Sequence, residues 1–341
     1  MPVPDTPGPE ANTGAGAPAD AIAAVVIGRN EGARLLGCLD SLAGRVARIV
    51  YVDSGSTDGS AAAARARGAE VVDLDLARPF TAARARNAGL DRLRETGARP
   101  VHVQFVDGDC SVVPGWIETA RTFLDGHPDM AAVCGRRRER HPEASVYNRL
   151  CDWEWDTPVG EAKACGGDAL IRMAALDAVG GYDPALIAGE EPEMCVRLRA
   201  RGWRIRRLDA EMTLHDAAMT RFGQFWQRMR RSGHAYAEGA ALHGAPPERH
   251  CVAETRRALA WGAALPAAIL VATAALGPAA LIAALAYPAQ VLRLALRDGG
   301  SRAAWDRAAL LTAGKFAEAQ GALEYHWRRR RGRPAVLIEY K

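Results

Sequence analysis

Three features of the chain predict an α/β fold, a mainly parallel, doubly wound (Rossmann-like) sheet, followed by a C-terminal helical hairpin of membrane character. Four short apolar runs alternate with helix-patterned segments between residues 22 and 107. The second and fourth runs each end in an acidic turn, and no charged residue occurs between Arg257 and Arg293. Strands that alternate with helices pair in parallel through crossovers, which gathers the ends of the runs on one edge of the sheet. Ligands bind at such an edge.

The first strand is expected at residues 22–27, closed by Gly28 and followed by Asn30-Glu31; residues 34–42 then carry leucines at helical spacing. A second strand, 48–52, runs into Asp53-Ser54-Gly55-Ser56-Thr57-Asp58-Gly59-Ser60. The alanine-rich helix 61–67 is stopped by Gly68. After a third strand at 70–74, Thr81 is positioned to cap a helix over 82–94 whose first turn bears Arg84 and Arg86. The fourth strand, Val103-Gln104-Phe105-Val106, ends in Asp107-Gly108-Asp109. Two hard oxygen donors one residue apart suit a divalent cation such as Mg²⁺ or Mn²⁺, although an Asp-Gly-Asp turn alone is also ordinary turn chemistry. The topology places Asn30, Glu31, Asp53, Asp58, Asp107 and Asp109 on one rim. Their mutual repulsion calls for a cation or for arginines, and Arg84 and Arg86 are close in sequence, although a solvated helix face would read the same.

Composition narrows the function classes. The seven cysteines at 38, 110, 134, 151, 165, 195 and 251 are odd in number and never form a Cys-x-x-Cys pair, so they read as reduced thiols and not as a disulfide framework or zinc site. Residues 1–20, rich in Pro, Ala and Gly, lack the basic start and apolar core of a signal peptide and read as a disordered, cytosolic tail. Residues 1–240 carry 30 basic and 33 acidic groups and residues 241–341 carry 14 and 7, so net charges of −3 and +7 divide the chain. No basic stripe with interleaved aromatics occurs in the first part, which argues against a nucleic-acid partner.

Taken together, residues 26–31 with the leucine-rich helix behind them, Val52-Asp53-Ser54-Gly55-Ser56-Thr57-Asp58-Gly59-Ser60, Ala85-Arg86-Asn87-Ala88-Gly89 and Asp107-Gly108-Asp109 resemble the ordered signatures of the family 2 glycosyltransferases with the GT-A fold. The resemblance covers roughly residues 22–235. It implies that Asn30, Glu31 and Asp53 hold the nucleoside of a nucleotide-sugar, that Asp107 and Asp109 bind Mg²⁺ or Mn²⁺ and the donor diphosphate, and that Arg86 lies near phosphate or sugar; Asp58 and Arg84, on the same rim, are further candidates for contact with the nucleotide. Gly189-Glu190-Glu191 opens a further helix where the family often has Glu-Asp. Aligning the pair puts the general base at Glu191, with Glu190 as its rival; acids also simply favour helix N-termini. The family places a histidine at the position of His215 to complete the metal or diphosphate site, and an Arg-rich closing segment where this chain has Trp226-Gln227-Arg228-Met229-Arg230-Arg231. Arg228 is thereby implied at phosphate or a lipid headgroup. Trp153 and Trp155 could stack on an acceptor sugar or fill a core.

As one helix, the charge-free stretch would be roughly 50 Å long, against a hydrocarbon core of about 30 Å. Broken at Gly277-Pro278, it gives two arms of about eighteen residues with arginines at both outer ends, the pattern of a membrane hairpin with both ends cytoplasmic. The alternative is a buried helical pair. The expected organisation is a tail (1–20), a GT-A domain (21–235), a linker or interfacial helix (236–257), the hairpin (258–297) and a basic cytoplasmic helix and tail (298–341). The activity this implies is metal-dependent, inverting sugar transfer to a lipid-linked or cell-envelope glycan acceptor, on the cytoplasmic membrane with the catalytic domain facing the cytosol. A nucleotidyltransferase making the sugar nucleotide, or a nucleotide-binding membrane scaffold, are the competing readings.

Overall fold

In the computed structural model, residues 22–95, 99–333 and 336–339 are described; the tail expected at 1–20 lies outside them. The first half follows the predicted alternation: β1 (Ile22–Gly28), α1 (Ala33–Leu42), β2 (Arg48–Asp53), α2 (Ser60–Ala66), β3 (Glu70–Asp73), α3 (Ala82–Glu95) and β4 (His102–Asp107). The apolar run of β1 is buried from Ile22 to Val26 because the strand is central and helices cover both its faces. Thr81 caps α3 as expected, its hydroxyl accepting from the Arg84 amide at 3.2 Å.

Beyond β4 come β5 (Cys110–Val112), α4 (Trp116–Gly126), β6 (Met130–Glu139), α5 (Val146–Glu154), β7 (Gly160–Glu161), β8 (Ala169–Arg172), α6 (Met173–Val179), α7 (Glu190–Ala200) and β9 (Arg204–His215). The sheet order is β3-β2-β1-β4-β8-β6-β9-β5, with β7 also on β9. β3, β2, β1 and β4 are all parallel; β8 runs antiparallel to β4 and β6, while β6 and β9 are parallel. Two residues separate β4 from β5, too few for a crossover, so β5 turns back and pairs antiparallel with β9. Residues 136–165 hold the end of β6, α5 and β7.

Register sets the functional edge. Gly28 pairs with Asp53, and Ile27 with Asp107, so the loops after β1, β2 and β4 leave the sheet at one level. β1 lies between β2 and β4, where the chain direction of winding reverses, and the crevice at that switch point faces these loops.

The C-terminal part is helical: α8 (Phe222–His243), α9 (Val252–Leu259), a π-helical turn (Ala260–Ala264), α10 (Leu265–Leu276), a 3₁₀ segment (Pro278–Leu285), α11 (Ala286–Arg297) and α12 (Arg302–Arg330). The helical stretches Val252–Leu276 and Pro278–Arg297 are long and apolar enough to cross a membrane, by length and composition. α8 and α12 approach so closely that a Cβ at Gly321 would lie 1.9 Å from the Arg230 carbonyl oxygen, and one at Gly233 1.9 Å from that of Glu318. Residue 235, expected as a domain boundary, falls inside α8. Phe225 and Met229 of α8 share a small core with Leu150 and Cys151 of α5 and Ala317 of α12, which fastens the helical part to the sheet domain.

Candidate active site

The loops after β1 and β2 are tied to each other before any ligand is considered. Asn30, in the left-handed region at φ 56°, donates its amide to the Ser56 hydroxyl at 2.9 Å, and its Oδ1 accepts from the Thr57 amide at 2.7 Å. Asp53 is buried and accepts from the Tyr51 hydroxyl (2.9 Å) and the Gly55 and Ser56 amides (3.0 and 2.8 Å), so its carboxylate shapes its own loop. Asp58 is exposed; hydrogen bonds from Ser60 at the start of α2 hold its carboxyl below the ordinary range. Glu31 pairs with Arg34 at 2.7 Å, and its Cγ would lie 3.2 Å from a Cβ at Gly108. Glycine between the two aspartates therefore lets the acidic turn cross β1 against Glu31, while the Gly108 amide bonds the Ile27 carbonyl at 2.8 Å.

Asp107 and Asp109 point to different partners. Asp107 accepts from Arg86 Nη2 at 2.8 Å and lies 3.5 Å from Arg137 Nη2. Burial pushes its carboxyl up, but Arg86 and Arg137 outweigh burial and hold it below the usual carboxylate range. Asp109 is buried with its Oδ1 3.4 Å from His215 Nε2, and His215 Nδ1 is 3.7 Å from Glu139 Oε2. The strand pairing brings these together, since β5 lies on β9 with Cys110 opposite His215. Carboxylate oxygens and an imidazole nitrogen are the donor types a hard divalent ion takes.

Arg86 is 3 % exposed and spans the site: Nη1 donates to Glu190 Oε1 at 2.6 Å while Nη2 holds Asp107. Burial alone would favour the neutral guanidine, and the two carboxylates reverse that preference. The Glu190-Glu191 pair thus splits. Glu190 faces Arg86; the Glu191 Oε1 accepts from the Cys165 amide at 2.6 Å and from the Cys195 thiol at 3.0 Å. Arg84 and Arg228 stand apart from this cluster. The Arg84 guanidinium donates to the carbonyls of Asp75, Arg78 and Pro79, and Arg228 pairs with Glu154 at 2.7 Å.

Several residues at the centre were not singled out from the sequence. Asp168, fully buried, accepts from the Asp107 amide (3.1 Å) and the Thr213 hydroxyl (2.8 Å) and pairs with Arg137 at 2.8 Å. The Arg137 guanidinium lies 5.4 Å from the Trp155 ring centroid, and Trp155 meets the His215 ring edge-on at 4.6 Å. Trp153 faces away, under Arg307 of α12. A Cβ at Gly167 would sit 2.9 Å from Arg86 Nη2 and 3.0 Å from Asp107 Oδ2, so a side chain there would displace the Arg86–Asp107 pair. Gly-Gly-Asp before an apolar strand was the available signal for this corner; Arg137 lay hidden in a run of three arginines.

Residues 24–167 match the model of the glycosyl transferase family 2. Over those residues the chain is similar to the glycosyl transferase family 2. Among solved structures, a mannosyltransferase from Pyrobaculum calidifontis, in complex with GDP-Man and Mn²⁺, is 23 % identical over 89 % of this chain and 87 % of that one, with a TM-score of 0.62. Glucosyl-3-phosphoglycerate synthase from Mycobacterium tuberculosis, in complex with Mg²⁺ and UDP, is 20 % identical over 66 % of this chain and 80 % of that one, with a TM-score of 0.48. The first likeness shows the fold of the sheet domain to be GT-A. No curated protein sequence matches the chain significantly.

Proposed function

We propose that the chain transfers a sugar from a nucleotide-sugar to an acceptor hydroxyl, with inversion at the anomeric carbon and with Mg²⁺ or Mn²⁺ at the donor diphosphate. The observation that carries this reading is the meeting of the acidic turn after β4 with His215 of β9, beside the interlocked loops of Asn30 and Asp53. The 3.4 Å between Asp109 Oδ1 and His215 Nε2 is close to the roughly 3.0 Å between adjacent ligand atoms of an octahedral ion. Asp109 and His215, with Asp107 beside them, would hold the cation. Bound there, it would neutralise charge developing on the leaving diphosphate.

The protein's own groups supply the rest. Asn30, Glu31, Asp53 and Asp58 form the walls against which the nucleoside lies. Arg86, fixed between Asp107 and Glu190, holds positive charge at the floor of the site and sets where Asp107 points. Glu191 is the general base: among the described residues no arginine or lysine pairs with it, whereas Glu190 is engaged by Arg86. It takes the proton from the acceptor oxygen as that oxygen attacks the anomeric carbon. Arg228, on α8, would meet phosphate or a headgroup if it left its pairing with Glu154. The exposed apolar hairpin and the basic C-terminal part support an acceptor that is lipid-linked or part of a cell-envelope glycan, reached from the cytosolic face of the cytoplasmic membrane.

Calorimetric titration of UDP, GDP and their common sugar conjugates, with Mn²⁺ or with chelator, tests the donor site. Wild type should bind one nucleotide only when metal is present, and Asp109→Asn should lose that binding while staying folded. Metal-independent binding that survives in the variant would remove the proposed donor site.

A further inference from the structure

The depth of the apolar hairpin is fixed by what its base packs against. Thr255 and Ala258 of α9 are buried, and Leu259 packs against Ala237, Ala322 and Tyr325 of α8 and α12. In the π-helical turn a Cβ at Gly262 would lie 2.0 Å from the Lys315 carbonyl oxygen, and Lys315 is itself paired with Glu318 at 2.6 Å. On the returning limb, Leu294 and Ala295 of α11 are buried with Ala308 of α12. The first part of one limb and the last part of the other are therefore occupied by protein.

What projects starts at an aromatic clasp. The Tyr287 hydroxyl donates to the Trp261 carbonyl at 2.8 Å, the Trp261 and Tyr287 rings are 6.0 Å apart, and Tyr287 and Phe316 are 5.3 Å apart. Beyond the clasp the surface is apolar and uncovered, with Leu276 80 % and Ile282 72 % exposed. From Trp261 to Leu276, just before the turn, the helix rises about 22 Å. The 3₁₀ limb back to Tyr287 measures about 18 Å. One leaflet with its headgroup layer is about 20–22 Å deep, half of a bilayer of 40–45 Å.

We infer that the hairpin is a wedge that enters a single leaflet of an anionic phospholipid bilayer and turns inside it, without crossing. Crossing would draw the Lys315–Glu318 pair and Arg257 and Arg293 toward hydrocarbon, where charges are costly. Entering one leaflet leaves the clasp at the interface, where Trp and Tyr rings are favoured, and the arginines among anionic headgroups. The turn tolerates this burial: Pro278 has no N–H, the Gly277 amide bonds the Thr273 carbonyl at 3.0 Å, and the Ala280 amide bonds that of Gly277 at 3.1 Å. The inference rests on the membrane reading proposed above and adds its depth and sidedness.

The test uses the full chain with Ala279→Cys beside the turn, Cys251→Ser to remove the one incompletely buried thiol, and an NBD fluorophore at position 279. It is synthesised cell-free in the presence of phosphatidylglycerol–phosphatidylcholine vesicles. The labelled chain should float with the vesicles and be quenched more by a nitroxide deep in the acyl chains than by one at the headgroup. Its fluorescence should survive dithionite both outside and encapsulated. Loss to encapsulated dithionite would mean a tip in the lumen, overturning single-leaflet insertion while leaving the membrane reading intact. Loss of all fluorescence to external dithionite in floated protein would place the tip in water and overturn it as well. Failure to float, with nucleotide binding retained, would overturn the membrane reading and the wedge together.

Discussion

The site is held by a few buried charges, and their removal has consequences of different kinds. Arg86→Met leaves Asp107 and Glu190 facing each other without their shared guanidinium, and losing one partner of a buried pair costs about 3–5 kcal/mol. Urea unfolding should show that loss, and Arg86→Met combined with Glu190→Gln should recover part of it. Glu191→Gln is expected to lower kcat by about 10²–10⁴ with the fold intact, the range for loss of a general base. Glu190→Gln should instead act mainly through stability, so measuring kcat and unfolding of both variants separates the two glutamates. His102 offers a pH test. Burial pushes its imidazole down to about 4, and among the described residues neither ring nitrogen has a hydrogen-bond partner. A folded-state pKa below the unfolded one near 6.5 means that the unfolded chain takes up the proton first. Stability should therefore fall as pH drops from about 6.5 toward 4, and His102→Asn should flatten that part of the unfolding free-energy profile.

At the scale of elements, close backbone approach decides which glycines matter. Gly321 of α12 has the Arg230 carbonyl where its Cβ would be, so Gly321→Ala should force α8 and α12 apart and cost about 1–3 kcal/mol. Gly37 of α1 faces open space, and Gly37→Ala should stabilise by about 0.5–1 kcal/mol. Thermal unfolding of the two variants should move in opposite directions. The parallel half of the sheet was legible because β1 and β4 are continuous apolar runs between recognisable turns. β8 and the pairing of β5 were not, since short antiparallel strands depend on a partner distant in sequence: the Ala169–Arg172 strand is specified by β4 and β6 on either side of it. In the same way the acidic turn was visible locally and His215 of β9 only through the family resemblance, while the organising Asp168, just ahead of β8, was not singled out.

For the whole molecule, the charge division has a physical counterpart: an acidic α/β domain and a basic helical part that share α8. On the membrane reading, Arg329, Arg330 and Arg331 at the end of α12 are each worth about 1 kcal/mol beside an anionic surface. Replacing all three with Gln should weaken partition onto phosphatidylglycerol vesicles on the order of a hundredfold at low salt, with a smaller difference at high salt, as co-sedimentation would show.

By itself the sequence determined the local things: three strand–helix units and a fourth strand, the acidic turns after β2 and β4, the Thr81 cap, the break at Gly277-Pro278 and the charge-free stretch around it. These follow from neighbouring residues through periodicity, backbone preference and hydropathy. Only the tertiary structure decided that Arg86 bridges Asp107 and Glu190, that Glu191 turns to Cys165, that Arg84 closes on loop carbonyls, and that the two ends of the apolar stretch lie against α12. Each of these is a competition between partners far apart in the chain, and the winner is set by distances that exist only once the chain has folded.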